Sequence, residues 1–334
     1  MTARDSGITC VRRSCSIVFA CVITSLAFAA AHAQAPAYPS KPVRIVVSSS
    51  PGGNLDLIAR AVAQKLTENL AQPMLVENKP GGSGIIAHEF VAKARPDGYT
   101  LMITAAGGHT INPGLFKKLP YDTVNDFTSI SIIARGPLIL VAHPSLPVKS
   151  LRDLIALAKS KPGEIVAANG GMGTSGHLAL ELMMTMTGTK FLQVPYKGNP
   201  PGLTDTIAGH TSIMVDTMST SIPLLKSGRL RAIAVTSLER SPLLPNVPSV
   251  AETLPGFEAS VYIGLFGPAG MPREIVKRLS SETAQIAHNI QMQKQFADMG
   301  VELVGSTPEE FLAFIKADIA KWKKVIRQAG IELR

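Results

Sequence analysis

From Tyr38 onward the sequence alternates short apolar runs with stretches whose apolar residues recur at helical spacing, the pattern of a chain built from βαβ units. Residues 43–49 (VRIVVSS) read as a buried strand and Pro51-Gly52-Gly53 as the turn behind it. Leu55, Ile58, Val62, Leu66 and Leu70 fall on one face of the next helix, with Asn54 as its N-cap. Residues 74–77 and 99–104 form two more strands; the first leads into the loop 78–84 (NKPGGSG) and a helix to Ala94, the second into a Gly-containing loop, 105–109. Two β-type runs at 130–134 and 138–142 flank Gly136-Pro137, a crossing point between domains. Helices at 151–159, 177–186, 203–208 and 219–226 then alternate with strands at 165–168, 191–194, 213–216 and 230–236, and 242–248 (PLLPNVP) is loop. A strand at 261–266 returns to the first unit, and helices at about 273–299 and 308–329 close the chain. The class is α/β, in two βαβ-built lobes: 36–137 with 256–334, and 138–255.

Composition narrows the function. With 46% hydrophobic and 17% charged residues over 334 positions, the chain can bury large cores and is neither a disordered tail nor a disulfide miniprotein. Lys+Arg 33 against Asp+Glu 24 gives +9, but the excess is scattered. The densest stretch, 321–327 (KWKKVIR), carries apolar residues at helical spacing and reads as a solvated helix face, not a nucleic-acid surface. Arg12 and Arg13, the apolar run 17–31 and Ala31-His32-Ala33 make residues 1–33 a cleavable export signal, too short to span a bilayer. Cys10, Cys15 and Cys21 all lie within it, and Phe19 stands where a lipidation signal at Cys21 wants a small residue. The mature chain therefore offers no disulfide, thiol nucleophile or cysteine metal site, which suits a bacterial periplasm.

Three strand, Gly-loop and helix units, at 51–54, 78–84 and 170–177, repeat one device: glycines admit a ligand to the backbone, and the first N–H groups of a helix favour an anion. Residues 171–176 match G-x-G-x-x-G, yet 191–197 (FLQVPYK) supplies no acid to hold a ribose, and export separates the chain from the nicotinamide pool. Ser175 lacks the last glycine of a nucleophile elbow, and His177 two residues on has no assigned reach to its hydroxyl. The histidines are dispersed and read as surface or helix-end residues; His109 and His177 are the two in candidate cleft loops. Asp216, at the end of a β-run, either caps the following helix or faces the cleft, where it would read a ligand amine or hydroxyl. At 5% aromatics, with Trp322 alone in the last helix, there is little to stack on a sugar.

The ordered motifs Tyr38-Pro39-Ser40-Lys41-Pro42-Val43-Arg44, Pro51-Gly52-Gly53 with Asp56, Val76-Glu77-Asn78-Lys79-Pro80-Gly81, Arg95-Pro96-Asp97-Gly98-Tyr99-Thr100, Leu119-Pro120-Tyr121-Asp122, Gly173-Thr174-Ser175 with His177-Leu178, Val194-Pro195-Tyr196-Lys197-Gly198 and Arg231-Ala232-Ile233-Ala234-Val235-Thr236 span the mature chain. Together they closely resemble the Bug family, the periplasmic substrate-binding proteins of tripartite tricarboxylate transporters. The resemblance implies a type II periplasmic binding protein whose two lobes close on a small carboxylate ligand. It places the carboxylate on the Pro-Gly-Gly turn and the Gly-Thr-Ser loop, that is on Gly52, Gly53, Thr174 and Ser175. Around these, Ser49, Pro51, Asn54, His109, Gly173 and His177 complete the expected site, with Tyr196 and Asp216 reading the distal part of the ligand. The expected partners are membrane permease subunits, for a monomer without cofactor, metal, nucleic acid or catalysis. An exported hydrolase or oxidoreductase using residues 171–177, and a receptor that presents its ligand to a sensor, are the competing readings. Ser48-Ser49-Ser50 replaces the Pro-and-aromatic residues usual before the turn, and Gly176 stands where a second serine is usual, so ligand identity does not carry over.

Overall fold

The computed structural model describes residues 38–331, of which 41–331 belong to one unit. The export segment 1–33 lies outside the described residues. Ten strands form one sheet: β1 (Val43–Val47), β2 (Met74–Asn78), β3 (Thr100–Ala105), β4 (Phe127–Ala142), β5 (Val166–Asn169), β6 (Leu192–Pro195), β7 (Ile213–Thr217), β8 (Arg231–Val235), β9 (Ser260–Pro268) and β10 (Glu302–Leu303). Their order is β2-β1-β3-β9-β4-β7-β5-β6, with β8 and β10 also paired to β4. At one end β1 pairs in parallel with β2 and β3; at the other β5 pairs in parallel with β6 and β7. The antiparallel strands β9 and β4 lie between them.

Strand β4 links the two parallel groups. Residues 127–137 pair with β9, and from Leu138 its partners are β7 and β8. The gap expected at Gly136-Pro137 is absent because the strand changes partner there: Pro137 stands opposite Ser260, and Leu138 opposite Thr217. Leu138 and Leu140 pack in a cluster with Leu151, Leu154, Val215 and Phe257, whereas Ile139 and Val141 pack on the other face with Met214, Met218 and Ile222. Covering both faces requires the unbroken apolar run that the sequence carries there.

Helix Pro308–Ala329 begins in a capping box between Thr307 and Glu310 and buries Phe311, Ile315, Trp322 and Ile326, while Lys321, Lys323 and Lys324 remain exposed. The single helix expected over 273–299 is two, Arg273–His288 and Ile290–Asp298, because Asn289 leaves helical geometry and its Oδ1 accepts from the Met292 N–H at 3.0 Å. In helix Asn54–Leu70 the N-cap is Gly53, so Asn54 is the first helical residue and its side chain is released from capping.

Candidate functional site

The carboxyl ends of β1, β5 and β7, with the loops after them, surround a cavity of about 360 Å³. One rim is the serine run with the start of helix Asn54–Leu70, together with the loop 80–84; the other is the loop 170–176 with residues 195–200. Ala105, Leu138, Val261 and Ile263 form its floor. Hydrogen bonds join the rims, Ser50 Oγ donating to Lys197 O and Ser83 Oγ to Met172 O, and Ser219 Oγ, in helix Met218–Lys226, donates to Asn54 Oδ1 at 2.5 Å.

Asp56 fixes the first rim. Its Oδ2 accepts from the Gly52 N–H at 2.9 Å and from Arg60 Nε at 3.0 Å, and its Oδ1 from Asn78 Nδ2 at 3.0 Å. Asn78 Nδ2 also donates to Ser49 O, which ties the end of β2 to the end of β1. Burial raises the Asp56 carboxyl, but the bonds from Arg60, Gly52 and Asn78 outweigh it and hold the group below the ordinary carboxylate range.

On the second rim Thr174 Oγ1 donates to Gly171 O at 2.9 Å and, as N-cap of helix Ser175–Thr187, accepts from the His177 N–H at 3.3 Å. The turn needs Gly173 at φ +80°, and helix packing needs Gly176, since a Cβ there would stand 2.4 Å from Val215 O. That contact brings the start of the helix directly against β7.

Of the residues singled out in the sequence, Ser49, Gly53, Asn54, Thr174, Ser175 and Tyr196 line the cavity. Asn54 and Ser175 are each only 6% exposed, and neither Asn54 Nδ2 nor the Ser175 hydroxyl has a hydrogen-bond partner among the described residues. The first turns of their helices leave the N–H groups of Asn54, Leu55, Ser175 and Gly176 without intrahelical acceptors. The Gly52 and Gly173 N–H groups are already used, the first by Asp56 and the second by His177 Nδ1 at 3.2 Å. Tyr196 presents its ring; its hydroxyl donates to Asp205 Oδ2 at 2.6 Å.

Pro51, Gly52, Gly173, His109, His177 and Asp216 are not on the cavity wall. Asp216 is fully buried, and its carboxylate accepts from Thr220 Oγ1, Ser221 Oγ and Asn199 Nδ2. Burial raises this carboxyl above its ordinary value against those bonds. His88, His109 and His177 are also fully buried, which corrects the expectation of surface histidines at these three positions, whereas His210 and His288 are exposed and His288 ends helix Arg273–His288. His177 Nδ1 faces the Gly173 N–H and its Nε2 lies 3.5 Å from Glu181 Oε1, so the ring serves its own helix rather than Ser175. His109 stacks within a cluster of His88, Phe127 and Phe266 beneath the loops that line the cavity. Sequence reasoning missed Ser83, in the turn Gly82–Gly84, Lys197, and Asn199, the first residue of helix Asn199–Ile207; each has a glycine beside it, the signal that could have marked it.

Residues 58–331 match the model of the tripartite tricarboxylate transporter family receptor. The chain belongs to this family. The receptor is 33% identical over 307 residues to Protein BugT of Bordetella pertussis, covering 91% of this chain and 94% of that protein. Among solved structures it resembles R. palustris Rpa4515 with adipate, at 37% identity and TM-score 0.87, over 89% of this chain and all of that one. It also resembles MatC from Rhodopseudomonas palustris with bound malate, at 29% identity and TM-score 0.83, over 86% of this chain and all of that one. The family is one of periplasmic solute-binding receptors, and a ligand-binding receptor is what this chain is. No helix among the described residues is long and apolar enough to cross a membrane.

Proposed function

We propose that this receptor captures a small carboxylate in the periplasm and delivers it to the permease of a tripartite transporter, without chemical change to the ligand. The observation that carries this reading is the donor set: Asn54 Nδ2, the Ser175 hydroxyl and the leading N–H groups of two helices border one cavity, and no carboxylate side chain lines it. Hydrogen bonds from such donors to an anion are charge-assisted and belong to the stronger kind. Adipate and malate in the related structures support the ligand class. Against catalysis, Ser175 has no base within its hydrogen bonds, and the glycines at 173 and 176 are explained by turn and packing geometry.

In this reading residues 36–137 with 256–334 form one lobe and 138–255 the other, and the bonds from Ser50, Ser83 and Ser219 belong to a closed cleft. Residues 1–33 direct export and are removed, and the mature receptor works as a monomer. Gly52, Gly53, Thr174 and Ser175 position the carboxylate, the first and third by shaping the turns that present the donors. The test is mass spectrometry of ligand released from denatured protein, with thermal shifts on a carboxylate panel. A carboxylate at 100 times its Kd should stabilise the protein by about 2.7 kcal/mol, and its amide should not. A shift with sugars or metals but with no carboxylate would overturn the assignment, and an intact mass retaining Met1 would overturn the export step.

A further inference from the structure

The floor of the cavity limits what can lie between its polar rims. Ala105 on β3 is in register with Ile263 on β9, Val261 on β9 with Gly136 on β4, and Leu138 on β4 with Thr217 on β7. Alternation along a strand puts Val261 and Ile263 on the same face of β9, and both line the cavity with Leu138. Leu138, Val261 and Ile263 are 2%, 6% and 1% exposed, so they are fixed in the sheet core and cannot turn aside for water. None carries a polar atom beyond the backbone. The polar side chain beside the floor, Thr217, is engaged with Ser219 and Thr220, and on the rim Asn199 Nδ2 is taken by Asp216 and the Tyr196 hydroxyl by Asp205. Lys197 is the one charged side chain on the wall, and it is exposed.

A ligand hydroxyl or amine pressed on this floor would leave water and gain no partner, whereas a methylene or ring edge would gain contact at no polar cost. An apolar surface of this kind discriminates against one added hydroxyl by up to about 100-fold. We propose that the receptor selects carboxylates whose chain is bare hydrocarbon: carboxylate oxygens sit on the rim donors, and an aliphatic or aromatic segment without hydroxyl or amino groups lies on Leu138, Val261 and Ile263. This rests on the carboxylate reading above and adds to it the part of the ligand that the receptor rejects.

The test uses matched acids on the full mature protein by titration calorimetry. Adipate and galactarate share six carbons and two carboxylates and differ by four chain hydroxyls; hexanoate and gluconate share six carbons and one carboxylate and differ by five. The member of the four that binds most tightly should be adipate or hexanoate, at least 10-fold tighter than its hydroxylated counterpart. If galactarate or gluconate binds as tightly as its bare counterpart or more tightly, the inference fails while the carboxylate reading stands. If none of these acids, nor any other carboxylate, binds, both fail. Val261→Thr keeps side-chain shape and adds a hydroxyl to the floor; it should narrow the bare-to-hydroxylated ratio at least threefold. An unchanged ratio in a variant that folds as the wild type does would show that the chain lies elsewhere, and would overturn the placement.

Discussion

Acidification should destabilise the receptor through the buried histidines behind the cavity. His88 stacks on His109 and Tyr121 at centroid distances of 5.4 and 5.1 Å, and its Nδ1 lies 2.8 Å from Gly84 O in the loop that lines the cavity. Burial, opposed by that one hydrogen bond, brings His88 down to about 4, and burial with the neighbouring His88 holds His109 well below its ordinary value. In the unfolded chain a histidine titrates near 6.5. Between about pH 6.5 and 4 the unfolded state therefore binds protons that the folded state refuses, so stability is complete above this window and is lost as pH falls through it. For His88 the difference amounts to about 3 kcal/mol by pH 4, and His109 adds to it with the same sign. Burial raises Asp216 and Asp318 instead, so they act in the opposite direction, and the raw stability curve mixes both. The clean measurement is the difference between wild type and His88→Gln, taken from urea unfolding followed by circular dichroism at fixed ionic strength from pH 7 to pH 4. The wild-type curve should fall relative to the variant by about 3 kcal/mol across the window. Curves that stay parallel would refute the argument that the imidazole is held neutral by burial.

Ser175→Ala should weaken carboxylate binding by about 1.5–3 kcal/mol with unfolding unchanged, read by calorimetry on the same protein, because the hydroxyl has no bond within the fold to lose. Gly176→Ala should destabilise the apo protein by about 1–3 kcal/mol in urea, since its Cβ would meet Val215 O at 2.4 Å. At Gly53 a Cβ would meet Pro200 and Ser50 O at 3.6 Å, both ordinary van der Waals contacts, so Gly53→Phe should leave the apo unfolding transition near wild type and abolish the ligand-induced thermal shift by filling the space between the rims. X-ray scattering should show a smaller radius of gyration with saturating ligand than without; an unchanged radius would remove cleft closure from the mechanism.

Most elements were legible in the sequence because each has a period of its own. The helix 308–329 shows its capping residues and its buried face in order, and the strands at 43, 74, 100 and 213 are apolar runs bounded by Gly or Pro turns. The glycine loops at strand ends were visible for the same reason: their placement is local chemistry. What local pattern could not decide is which atom of a loop residue meets the cavity. Asp216 and Tyr196 both stand at or just past strand ends, yet the Asp216 carboxylate is claimed by Asn199, Thr220 and Ser221, and the Tyr196 hydroxyl by Asp205. His109 lies in the helical turn Gly107–Ile111 beside the cavity-lining Gly107 and Gly108, but its ring packs on Phe266 at 4.1 Å and is off the cavity wall. Continuity of β4 through Pro137 depended on β7 and β9 being present to share its length, and the apolar floor on β9 lying between β3 and β4. Periodicity fixes the face of an element, because neighbours in sequence determine it. Side chains whose partners lie tens to hundreds of residues away are assigned only when the tertiary structure brings those partners into range.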